Sequence, residues 1–225
     1  MWLQCWDDSQ KRPSEGRTVV LLHGMLASRR SMDSLAVGLS DAGYTVINWG
    51  YPSLRGSIVH HAKRLLEHLE SIGATQSHRL DWVTHSMGGI IARCALARAS
   101  WQAEMRMVML APPNNGSKLT RLPLGPLRGL FPQLEELSES PRSLVNTLSD
   151  PGKLEVGVIA ASNDFVVDVD ATRLDHQKDH RVIESTHQAL PNQHDTLELT
   201  LRFLNQGSFA SPQHAVTISR QLVAA

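Results

Sequence analysis

Cysteine is nearly missing from the chain: Cys5 and Cys94 are the only two in 225 residues, too few for a disulfide framework. Cys94 falls in a helical pattern, where a lone cysteine ordinarily serves as a small buried hydrophobe. Net charge is missing as well. Lys plus Arg and Asp plus Glu stand at 22 each, which removes the global electrostatic footprint of a nucleic-acid binder or of a protein drawn to an acidic membrane, while leaving room for local patches. No run approaches the roughly twenty apolar residues that a bilayer-spanning helix needs. The opening Met1-Trp2-Leu3-Gln4-Cys5-Trp6-Asp7-Asp8 reaches acids at once, unlike a secretory signal. There is no glycine-rich phosphate loop and no H-E-x-x-H arrangement, and the members of the His60-His61 doublet face different sides of a helix. No metal and no cofactor is expected, and the expected setting is cytoplasmic.

What is present is a rhythm of strands and helices. Thr18-Val19-Val20-Leu21-Leu22 is apolar on both faces, as a central parallel strand must be. Met32, Leu35, Ala36 and Leu39 then fall at helical spacing, with Gly43 as a stop. A second strand covers Tyr44 to Asn48. Ser57 precedes a helix face made by Ile58, Ala62, Leu65, Leu69 and Ile72, which Gly73 closes. Further strands are expected at Leu80 to Val83, Met105 to Leu110, Val156 to Ala160 and Arg181 to Glu184. Helices are expected after Ser86, to about Ala99, and from about Asn192 to Leu204. Such alternation predicts one α/β domain over residues 1–225, a three-layer α/β/α sandwich with about six parallel strands. The first strand is expected at the centre, the second on one side of it and the later ones on the other. Residues 114–153 are too long for an ordinary connection and rich in leucine and proline, which reads as a small helical cap or lid. Residues 208–225 read as a loosely ordered tail.

The chemistry centres on Thr84-His85-Ser86-Met87-Gly88-Gly89, set between a strand and a helix. A serine hydroxyl becomes a useful nucleophile when a sharp turn exposes it and a neighbouring base takes its proton. The strict elbow pattern is G-x-S-x-G, and here Thr84 replaces the first glycine. Amide donors for a developing oxyanion are expected at Met87 and, from the loop after His23-Gly24, at Met25. His23 itself is expected to brace that loop. Acid and base should follow the serine in the order Asp, His. His187, just past the last strand, is the expected base, while His176, His180 and His194 read as solvated. Asp164 is the expected acid, with Asp168 as its rival.

The runs 19–24, 84–89 and 110–117, with Ser185-Thr186-His187 and the ending 203–209, resemble the small bacterial lipase/esterase branch of the α/β-hydrolases, over roughly residues 17–209. The resemblance implies an α/β-hydrolase fold with a reduced sheet. It also implies cofactor-free ester hydrolysis, with Ser86, Asp164 and His187 as triad and Met25 and Met87 as oxyanion donors. Phe165 departs from the pattern, since many relatives carry a small residue there. An apolar acyl group is expected to meet Leu26, Leu127, Leu130 and Phe131. The expected partner is a small ester or lipid, with no nucleic acid and with transient contact to a lipid surface through the cap. Two other classes stay open: acyl transfer or thioester cleavage by the same triad, and a non-catalytic lipid-binding module on the same scaffold.

Overall fold

The computed structural model describes residues 16–77, 79–99, 101, 104–121, 123, 125, 129, 131–149 and 154–210. Its strands are β1 (Thr18–Leu22), β2 (Thr45–Trp49), β3 (Leu80–His85), β4 (Arg106–Leu110), β5 (Glu155–Ala161) and β6 (Asp179–Ile183). All pair in parallel, in the order β2-β1-β3-β4-β5-β6. The expected reversal is there: β2 lies on one side of β1 and every later strand on the other. The first strand is not central, however. It stands second from the edge, and β3 and β4 form the middle pair, because four later strands add to one side and a single strand to the other.

The helices are α1 (Asp33–Asp41), α2 (Ile58–Ser71), α3 (Met87–Leu96), α4 (Pro132–Glu136), α5 (Leu144–Thr147) and α6 (His194–Gln206). Side chains alternate along a strand, so β1 feeds two cores. Val20 and Leu22 pack with Ile58, Leu65, Ile90 and Trp82 under α2 and α3. Val19 and Leu21 pack with Met32, Leu35, Leu39, Phe203 and Leu204 under α1 and α6. Burying each such side chain is worth about 1.5–3 kcal/mol, so these two faces supply most of the driving force for folding. Cys94 is buried in the first of them.

Boundaries differ from the sequence reading where tertiary pairing decides. The third strand runs on through Thr84 and His85, which pair with Met109 and Leu110 as far as the elbow. The last strand starts at Asp179, two residues early, in register with Gly157. The last helix starts at His194 because Leu190–Asn192 forms a separate 3₁₀ turn containing Pro191. The tail reading is corrected for its first residues: the Phe209 amide and the Ser208 hydroxyl both bond Asp179, and Phe209 is buried against Phe203. His180 is also corrected. It sits half-buried on β6, with Nε2 2.9 Å from the Thr172 hydroxyl.

Within 114–153, α4 ties this long connection to the domain. The Glu136 carboxylate accepts the Ile58 amide at 2.7 Å, at the N-terminus of α2, and the Gln133 amide donates to Gly56 O at 2.5 Å. At the opposite, amino edge of the sheet, Asp81 is fully buried and receives Arg17, Arg79 and the Arg106 amide. Burial lifts the Asp81 carboxyl above its ordinary pKa, and the Arg79, Arg106 and Arg17 contacts only partly oppose this. The three arginines also converge on Leu204 O near the end of α6, where the helix dipole favours cations.

Candidate active site

β3 leads directly into α3, and the turn between them forces Ser86 to φ 53°, ψ −126°. A non-glycine residue at positive φ costs of order 1–3 kcal/mol and persists only where its surroundings impose it. Here the Ser86 amide donates to Leu110 O at 2.8 Å and its carbonyl accepts Gly89 N at 2.9 Å. The glycines are steric requirements. A Cβ on Gly88 would lie 2.6 Å from the carbonyl oxygens of Leu22 and His23. A Cβ on Gly89 would lie 2.6 Å from Met109 Cε and 3.2 Å from Thr84 Oγ1. The last distance explains the departure at Thr84: its buried side chain occupies space that Gly89 leaves open.

The loop after β1 passes against the serine, since a Cβ on Gly24 would lie 3.0 Å from Ser86 Cβ and 3.2 Å from His85 Nδ1. His23 braces this loop as expected. Its ring stacks on Tyr51 at 4.2 Å, Nδ1 lies 2.9 Å from Gly24 O, and the Tyr51 hydroxyl donates to His23 O at 2.5 Å. Burial lowers the His23 pKa, so the ring is held neutral. Met25 follows in the turn. Met87 opens α3, so its N–H has no carbonyl one turn back within the helix.

Asp164 and His187 come from neighbouring loops that are pinned together, with Ser162 N on Ile183 O and Asn163 N on Ser185 O. Asp164 Oδ2 lies 2.7 Å from His187 Nδ1, and Oδ1 accepts the Val166 and Val167 amides at 2.7 and 2.9 Å. Burial would raise the Asp164 carboxyl, but the His187 hydrogen bond, the His187 charge and those amides outweigh it and hold the pKa below its ordinary value. The rival Asp168 turns away to pair with Lys118 at 2.5 Å. Phe165 is 86% exposed and leaves the Asp164 contact undisturbed.

One member of the site had no visible role in the sequence. His85 is buried between the Gly24 loop and the His187 loop, its Nε2 2.9 Å from His187 O and its ring 4.9 Å from the His187 ring. Burial first, then the neighbouring His187, lowers its pKa to about 3, so it stays neutral and donates through Nε2. Among the other expected contacts, Leu26 is 72% exposed at φ 59° beside Met25. Phe131 is half-buried before α4, while Leu127 and Leu130 lie outside the described residues. Among the described residues the group closest to metal-ligand geometry is His194, Asp195 and Glu198, exposed on the first turns of α6. Acids at that position are accounted for by the helix dipole.

The sheet order, the strand-elbow-helix unit and the carboxyl-edge loops define an α/β-hydrolase fold. Solved structures show the same fold. The chain superposes on Bacillus licheniformis lipase BlEst2 in propeptide form with a TM-score of 0.70 and 18% identity, over 86% of this chain and 51% of that one. It thus spans about half the length of that form, but 94% of the mature form, at TM-score 0.67 and 17% identity. A Nitrososphaera gargenis structure described among carboxylesterases gives a TM-score of 0.60 at 16% identity, over 87% of this chain and 92% of that one. The chain belongs to the family described as a domain of unknown function, DUF7379, whose model matches residues 4–123. Comparison with curated proteins returns no match.

Proposed function

We propose that the protein is a serine hydrolase of carboxylic esters, with Ser86 as nucleophile, His187 as general base and acid, and Asp164 as the orienting carboxylate. The observation that carries this reading is the 2.7 Å contact of Asp164 Oδ2 with His187 Nδ1, on loops set beside the strained Ser86 elbow. That contact fixes the imidazole tautomer with its proton on Nδ1 and leaves Nε2 free to accept one. The likeness in fold to lipases and esterases supports the same reaction class.

In the proposed cycle Ser86 Oγ attacks the acyl carbonyl while His187 Nε2 removes the hydroxyl proton. Asp164 stabilises the imidazolium without taking its proton. The Met25 and Met87 amides hold the oxyanion of the tetrahedral intermediate. Collapse breaks the ester C–O bond, His187 returns the proton to the departing alkoxide, and an acyl-Ser86 ester remains. Water, deprotonated by His187, attacks that ester, and the second collapse releases the acid and regenerates Ser86. The exposed Leu26 beside the oxyanion loop suits an apolar acyl group.

Turnover of a p-nitrophenyl ester by Ser86→Ala tests the assignment. A fall of roughly 10⁴-fold or more is expected, and near-normal turnover would refute it.

A further inference from the structure

The chain is neutral overall, yet its charge is unevenly placed around the sheet. Segments 26–30 and 53–64 contain Arg29, Arg30, Arg55, Lys63 and Arg64 and no acidic residue. They follow β1 and β2 at the carboxyl edge, the edge that carries Ser86. The two segments touch. Ser53 Oγ donates to Ala27 O at 3.1 Å, and the Arg29 side chain lies against Gly50, within 3.5 Å of where its Cβ would be.

The same segments expose apolar side chains. Leu26, Leu54 and Val59 are three of the six large hydrophobics exposed among the described residues. A fourth, Phe165, follows β5 at the same edge.

The cations differ in kind from those at the amino edge. There Arg17 and Arg79 pair with Asp81, and Arg106 and Lys178 with Glu155. On the carboxyl-edge surface Lys63 pairs with Glu67 across one helical turn. Arg30, Arg55 and Arg64 are exposed and form no ion pair with any described residue. The nearby Asp33 carboxylate is bonded instead by the Asn48 amide.

We propose that segments 26–30 and 53–64 form a docking face for an anionic lipid surface, with Leu26, Leu54 and Val59 entering the interfacial layer and Arg30, Arg55 and Arg64 meeting the head groups. Apolar side chains interspersed with unpaired cations match both properties of such a surface, and the two contributions add. A wholly apolar partner would leave the arginines unpaired, and a wholly polar one would leave the leucines in water. Docking in this orientation turns the Ser86 edge toward the lipid. It does not require Ser86 to be catalytic, so it can be tested apart from the proposed reaction.

The test is co-sedimentation of the full chain with vesicles of phosphatidylcholine alone and of phosphatidylcholine with phosphatidylserine. It is run on the wild type, on Ser86→Ala, and on the double variants Arg30→Glu/Arg55→Glu and Arg30→Gln/Arg55→Gln. Wild type and Ser86→Ala are expected to bind the anionic vesicles alike, and to release them as salt rises. Each surface arginine contributes roughly fivefold in partitioning, so the Gln pair should bind about 25-fold more weakly and the Glu pair weaker still. The far-UV circular dichroism spectrum and thermal unfolding of the double variants should match wild type, which reports that they fold, and turnover of a short soluble ester should be unchanged. Equal binding to both vesicle types, binding unaffected by the double variants, or absence of binding at low salt would overturn the proposal. So would lipid-free self-association that the Glu pair abolishes, since it would assign the face to a second copy of the chain.

Discussion

The two edges of the sheet use the same kinds of residue to opposite ends. At the amino edge a buried carboxylate, Asp81, is surrounded by arginines that also hold the end of α6. At the carboxyl edge a second sequestered carboxylate, Asp164, has one histidine and two amides as partners. Burial wins at Asp81, whose pKa is raised, whereas hydrogen bonds and charge win at Asp164, whose pKa is lowered. The first arrangement fastens strands and a helix together. The second keeps an ionised carboxylate aimed at an imidazole beside a strained serine. Positive φ outside glycine follows the same division among the described residues, since Leu26, Ser86 and Ala111 all lie where strands end at the carboxyl edge.

This contrast can be broken most sharply at Asp164. Asp164→Asn should lower ester turnover by about 10³- to 10⁴-fold while leaving a folded protein. Asp168→Asn should stay within about twofold, because it loses only an exposed ion pair. Steady-state kinetics on the two variants decides, and the reverse result would move the acid to Asp168.

The second probe is acid. His61 and His85 are buried and held neutral, with pKa values lowered to about 4 and about 3, chiefly by burial. Their folded values lie below the unfolded one, so their contribution is fully present above about pH 6.5 and is lost as pH falls toward the folded values. Together they should cost about 3 kcal/mol between pH 6.5 and 5. Asp81 and Glu136, whose pKa values are raised by burial, work the other way and oppose this decline as they take up protons. Urea unfolding at pH 7, 6 and 5 measures it, and a flat profile would show that these rings are not buried neutral.

The smallest effect belongs to the amino edge. Asp81→Ala removes the acceptor for the Arg106 amide and both arginines, and should lower stability by about 2 kcal/mol. Turnover of the folded variant should be unchanged. A fall in turnover at undiminished stability would show that the two edges are coupled.

The sequence made the fold legible because β1, β3, β4 and β5 were apolar enough to be seen alone and α1, α2 and α6 each carried one buried face. Ser57 is the N-cap of α2, accepting the His60 amide, and Gly73 and Gly207 end helices at positive φ. The expected order of serine, aspartate and histidine corresponds to residues that the loops bring to one edge. What stayed illegible depends on contacts between distant segments. Nothing around His85 announces that its ring will reach the carbonyl of His187, 102 positions away. Nor does Glu136 announce that it will bond the N-terminus of α2. The place of β1 in the sheet is illegible for a related reason, since local patterns say which strands are buried but not how many will add on each side.

The central claim is that the edge bearing Ser86 is chemically active. It is tested most directly by mass spectrometry of the protein after exposure to a fluorophosphonate. A single phosphonyl adduct on Ser86 is expected, formed fast in the wild type and far more slowly in Asp164→Asn and His187→Ala. An unmodified Ser86, or an adduct that forms equally fast in all three proteins, would contradict it.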